Sequence, residues 1–181
     1  MRACDQRGFT LPEVLLTMAI IGIGLAAVLA TIPYGAFAVQ DGRQLSTATF
    51  LADQRLEQAR YVPWRGTPAN DCLGISAAAT AAPSVPAGAT CVYGAVAVGA
   101  GGALPWFADE GATAIAGFPG SSRQVRITDC GAGLGCTGVV DSALRLVAVT
   151  VTYTPLALTG PAGGAGPAPK TTTVNMLISQ R

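Results

Sequence analysis

The residues best placed to do chemistry in this chain fall in one short stretch. Positions 8 to 13 read Gly8-Phe9-Thr10-Leu11-Pro12-Glu13, and no charge follows Glu13 until Asp41. The 27 residues from Val14 to Gln40 are mostly Leu, Ile, Val, Ala, Met and Gly. A helix of about 20 apolar residues crosses the hydrocarbon core of a bilayer. Glu13 therefore sits inside the leading end of a membrane-spanning helix. A carboxylate at depth costs on the order of 3 kcal/mol, so it is rarely accidental. The Gly8–Phe9 peptide bond is the second reactive feature. An ordinary secretory signal has an apolar core of about 7 to 15 residues with its cleavage site behind it. Here the only plausible cut, after Gly8, precedes the apolar run, so the helix stays on the mature chain. The plain alternative is an uncleaved signal anchor.

The cysteines come next. There are five: Cys4, Cys72, Cys91, Cys130 and Cys136. Cys4 leaves with residues 1–8, and no apolar stretch precedes it as a lipidation signal would require. Four remain, which in an exported domain read as two disulfides, with free buried thiols as the alternative. Three connectivities are open. Cys72–Cys91 and Cys130–Cys136 are favoured because each pair brackets a Gly/Ala-rich loop. The chain has no histidine, so these cysteines do not make a zinc site and a nucleophile lacks its usual base. Asp109-Glu110 reads as a solvated turn, because adjacent carboxylates do not converge across a cleft. Asp129 and Asp141 flank the Cys130–Cys136 loop but carry no calcium-loop signature. Gly99-Ala-Gly-Gly102 has no following Lys or helix start and is no phosphate cradle. The reading includes no metal, no cofactor and no catalytic residue.

The N-terminal arrangement resembles the type IV pilin family, including the pseudopilins of type II secretion. The match is Gly8, Phe9, Thr10, Leu11, Pro12, Glu13, then Val14-Leu15-Leu16. Pro12 departs from the commoner aliphatic choice, but proline fits the first turn of a helix. The resemblance covers about the first 65 residues, where Leu51 to Arg60 also looks like the second helical half of minor pilins. It implies a prepilin leader over residues 1–8, cleavage between Gly8 and Phe9 by a prepilin peptidase, and N-methylation of Phe9. It implies that Glu13 pairs with an N-terminal amine during assembly. The implied partners are other pilins or pseudopilins, an inner-membrane assembly platform and inner-membrane lipid. It also implies that the helix can unwind locally, near Gly22 to Pro33, on entering a filament.

These features need a scaffold. Residues 9–40 read as the membrane and filament-core helix, starting near Leu11, with a kink or loosened turn at Pro33. Residues 41–65 read as an amphipathic half, with Leu45, Ala48, Ala52, Leu56 and Ala59 on one stripe facing the globular domain. Pro63, Gly66 and Pro68 end it. Residues 66–181 hold a loop region and then an antiparallel sheet. Cys91 to Val98 reads as one short strand, and Trp64, Trp106, Phe107 and Phe118 as packing anchors. Gln124–Thr128, Leu144–Tyr153 and Thr172–Ser179 alternate as strands, with a bulge or two-sided burial expected at Leu146-Val147. Pro155 to Lys170 is too long for a tight hairpin. The fold class is α+β and pilin-like: a long N-terminal helix packed on a C-terminal antiparallel sheet.

The charge balance agrees with a structural role. The chain has 11 basic and 10 acidic residues. Without Arg2, Arg7 and Asp5 it has nine of each, and no basic patch argues for nucleic acid. Arg2 and Arg7 ahead of the helix favour a cytoplasmic start and a periplasmic C-terminal domain on a single-pass inner-membrane anchor. The reading is a structural subunit rather than an enzyme: a minor pilin, with a pseudopilin of type II secretion as the alternative. A membrane-anchored periplasmic enzyme or binding module is the more distant alternative.

Overall fold

The computed structural model describes residues 8–65, 70–93, 96–98, 105–132, 136–155 and 168–180. The first seven residues, Gly99 to Gly102 and most of the Pro155–Lys170 connection fall outside that set. The chain forms two units, residues 1–42 and 43–181. Helix α1, Leu11–Tyr61, contributes its first part to one and its last part to the other. It continues through Pro33, where the sequence predicts a kink or loosened turn.

In the second unit, α1 is followed by the short pairs β1 (Ile75–Ser76) with β2 (Pro83–Ser84) and β3 (Cys91–Tyr93) with β4 (Val96–Val98). Cys91–Val98 is thus two antiparallel strands, not the single strand its valines suggest. The main sheet has the order β5 (Ser121–Asp129), β6 (Leu144–Tyr153), β7 (Lys170–Ser179), all antiparallel. The protein is α+β, with one long N-terminal apolar helix and a C-terminal antiparallel sheet. The β6–β7 register runs unbroken from Leu144↔Ser179 to Tyr153↔Lys170. There is no bulge at Leu146-Val147. Leu146 takes the half-buried face and Val147 the buried one, in simple alternation.

The core joins Ala48, Leu51, Ala52, Leu56 and Ala59 of α1 to Val125, Ile127, Val147, Val149, Val151 and Ile178 of the sheet. Leu45 does not belong to it. It is 48% exposed, and Leu51, at 1%, supplies the leucine that the core takes from this face. The buried stretch of α1 begins at Ala48, so Leu45 lies one turn before it. Burying a leucine contributes roughly 2 kcal/mol. Pro63 ends the helix, and Trp64 turns inward at 3% exposure. Trp106 and Phe107 are also buried, and Phe118 packs against the core.

Three arginines tie the layers together. Arg123 and Arg145 occupy inward positions of their strands and are almost fully buried. Arg145 forms a fork on Asp71, 2.5 Å to Oδ1 and 2.6 Å to Oδ2, and donates to the Gly74 carbonyl at 3.2 Å. Its guanidinium lies 4.4 Å from the centre of the Trp64 ring. Gly74 adopts φ +70° and its N–H returns to Asp71 Oδ1. This left-handed turn suits glycine, which has no Cβ to clash. Arg123 donates to Glu110 Oε2, to the Leu51 carbonyl and to Gln54 Oε1. Arg126 holds Asp109 through two bonds, 2.6 and 2.9 Å.

Candidate functional site

The N-terminal segment is built by a helix start. The Thr10 carbonyl accepts from Glu13 N–H at 3.0 Å and Val14 N–H at 3.2 Å. Thr10 is therefore the cap residue and Glu13 lies three positions into the first turn. Thr10-Leu11-Pro12-Glu13 has the Ser/Thr-x-x-Glu spacing of a capping box. Pro12 falls where the backbone N–H has no intrahelical partner, so its missing donor costs nothing. An acidic group in the first turn also complements the helix dipole. Thus Glu13 has a local reason to be where it is, which the sequence reading missed although the spacing was legible.

Behind Glu13 the helix is apolar and uncovered. Phe9 is 84% exposed, and Leu15, Leu16, Ile20, Ile21, Leu25 and Val28 are each about 60% exposed. Apolar side chains face outward around the helix, which marks a surface made for lipid or for other helices. Two of its hydroxyls are satisfied internally: Thr17 Oγ1 donates to the Val14 carbonyl at 2.9 Å and Thr31 Oγ1 to the Val28 carbonyl at 2.7 Å. A span in lipid needs this, because no water reaches its polar groups. Among the described residues α1 is the one helix long and apolar enough to cross a membrane.

The other candidates are dispersed. Cys72 joins Cys91 and Cys130 joins Cys136, with Cα separations of 5.4 and 5.0 Å. The Asp109-Glu110 pair is not a solvated turn. Glu110 bridges Arg55 at 2.6 Å and Arg123 at 2.5 Å, and Asp109 binds Arg126. Burial pushes the Glu110 carboxyl up, but hydrogen bonds from Arg123 and Arg55 and their charges outweigh it, leaving it below the usual range. Asp129 accepts from Gly131 N–H and Asp141 from Ala143 N–H, so both carboxylates shape turns. At Gly131 a Cβ would stand 2.7 Å from Ser142 Cα, which requires glycine there. No group of three potential metal ligands occurs among the described residues. The sequence reading missed Asp71, Arg123 and Arg145. The two arginines carry a signal: they continue the inward phase of Val125-Ile127 and of Val147-Val149-Val151. Asp71 carries none, because its partner lies 74 residues away.

The chain matches the family model of the prokaryotic N-terminal methylation motif over residues 4–29. This chain carries a type IV pilin-like prepilin signal. The matched stretch spans Gly8, Phe9, Glu13 and the first half of the uncovered apolar surface. The motif and the apolar helix support a membrane-anchored protein of the pilin-like or pseudopilin kind. A prepilin signal implies processing by prepilin peptidase and assembly with other pilins. No curated protein and no solved structure matches the chain.

Proposed function

We propose that this protein is a minor pilin, a structural subunit of a type IV pilus and not an enzyme. The observation that supports this reading most is the coincidence of the methylation motif with a helix whose apolar face is uncovered from Phe9 onward. Residues 1–8 are the leader. Hydrolysis of the Gly8–Phe9 amide leaves a carboxylate on Gly8 and an α-amine on Phe9. Transfer of a methyl group from a methyl donor to that amine keeps it basic and cationic. The helix of residues 9–40 first anchors the subunit in the inner membrane, with Arg2 and Arg7 holding the leader in the cytoplasm and the domain in the periplasm.

Assembly moves the helix from lipid into a bundle of other pilin helices. Both surroundings are apolar, so packing between helices and their polar groups drive the transfer. Glu13 is the charged group on this helix. Its pairing with an N-terminal amine, its own or a neighbour's, removes an uncompensated charge and fixes the register of the incoming helix. The assembly platform of the inner membrane supplies the growing end.

Mass spectrometry of the membrane-extracted protein, made with and without the peptidase, tests the reading. A chain beginning at N-methyl-Phe9 is expected only with the peptidase, and a chain starting at Met1 in both would overturn it. Glu13→Ala should leave cleavage intact and lower recovery in the filament about tenfold or more, the equivalent of a single lost ion pair in an apolar setting.

A further inference from the structure

We infer that the outer edge of β7 receives an added β-strand from a second pilin-like subunit. The inference rests on the assembly reading above. The backbone phase of the sheet says which groups are on offer. Gln180 N–H donates to the Ala143 carbonyl at 3.0 Å, in continuation of the β6–β7 register. Bonded and non-bonded pairs alternate along an antiparallel ladder. So Thr172, Val174, Met176 and Ile178 turn their N–H and C=O groups toward β6. Thr171, Thr173, Asn175, Leu177 and Ser179 turn theirs away from it. The far side of the sheet gives the same phase independently. Arg123 exchanges both backbone bonds with Glu110, each 2.9 Å, and Ile127 N–H donates to Ser76 Oγ at 3.1 Å. Odd positions of β5 therefore face away from β6, which leaves odd positions of β6 to face β7.

The two edges of the sheet differ. The β5 edge is closed by the Glu110 bridge and by Ser76 of β1. Along β7, no backbone bond reaches the outward row among the described residues. Edge strands normally block pairing with a proline, a bulge or a charge placed mid-strand. From Thr171 to Ser179 this strand has none of these. Its inner face is also unfinished. Val147, Val149 and Val151 of β6 are fully buried, whereas Val174 and Met176 beside them are only half-buried. The group that completes this edge must offer alternating donors and acceptors along an extended line, which is another strand. It should carry apolar side chains beside Val174 and Met176, and hydroxyl or amide side chains beside Thr171, Thr173 and Asn175. Assembly holds neighbouring subunits at high effective concentration, so a pairing too weak for free domains suffices.

The test uses the full chain in cells with the complete assembly apparatus. Asn175→Pro removes one outward N–H and leaves the bonds to β6 in place, whereas Asn175→Ala changes only the side chain. The fraction of processed protein recovered in sheared filaments is expected to fall about tenfold for Asn175→Pro and to stay near wild type for Asn175→Ala. Amide exchange on the wild-type chain needs no variant. The outward amides of Thr171, Thr173, Asn175, Leu177 and Ser179 should slow about a hundredfold or more from detergent-solubilised subunit to filament. Filaments with a protected N-terminal helix, unchanged exchange at these five amides and normal incorporation of Asn175→Pro would overturn strand addition and leave the assembly reading standing. A wild-type chain neither cut after Gly8 nor incorporated would overturn both.

Discussion

Residues 8–42 and residues 43–181 handle apolar side chains in opposite ways. In the first stretch Leu15, Ile20, Leu25 and Val28 face outward, and the polar hydroxyls of Thr17 and Thr31 fold back on the helix. In the second, Leu51, Phe107, Val149 and Ile127 are fully enclosed, and buried charges are cancelled by partners. The first surface is complete only with lipid or other helices around it. The second carries its own core, two disulfides and three arginine-centred networks. The lesson is that damage to the first should show as lost assembly, and damage to the second as lost stability.

Four measurements can break or sharpen that contrast, all by denaturation of the full chain in detergent. The largest effect is expected from Asp71→Ala, which strands Arg145 in the core. Removing one partner of a buried pair costs about 3 to 5 kcal/mol. Exchanging both for apolar residues, Asp71→Leu with Arg145→Met, should recover most of it. Next is a test within one helix. Leu51→Ala should cost about 2 to 5 kcal/mol, and Leu45→Ala less than about 0.5 kcal/mol. Equal losses at the two sites would show that the boundary between inside and outside is misplaced.

The disulfides rank third. Opening Cys72–Cys91 should cost roughly 3 kcal/mol, and opening Cys130–Cys136 about 1 kcal/mol less, because it closes a shorter loop. The smallest effect is pH-dependent. The folded state holds Glu110 below the ordinary carboxylate value. Its contribution is therefore present above that ordinary value and disappears as pH falls through the folded one. Glu110→Gln should lower stability at neutral pH and flatten the acid limb of the stability curve. An unchanged acid limb would show that other carboxylates set it.

Local patterns were legible in the sequence; long-range ones were not. Gly8 to Glu13 is a contiguous signal, and the alternation in Leu144–Tyr153 gave that strand to the residue. The inward valines of β5 and β7 followed the same rule. The choice between Leu45 and Leu51 was not readable, because both fit a helical stripe and only the extent of the domain decides. Splitting Cys91–Val98 into two strands depends on a reversal that the valine alternation does not mark. Glu110 and Asp71 find arginines 13 and 74 residues away, separations at which adjacent residues give no hint. Thr10 at the cap was readable from spacing alone.

The closure of the β5 edge by Glu110 and Ser76 has a further consequence. A sheet open on both sides is bivalent, and copies of it can stack without limit into a fibre of their own. A sheet with one side sealed is monovalent: it can take a single strand and then has nothing left to offer. On the proposed strand addition, Arg123, by holding Glu110 in place, would limit the sheet to one added strand.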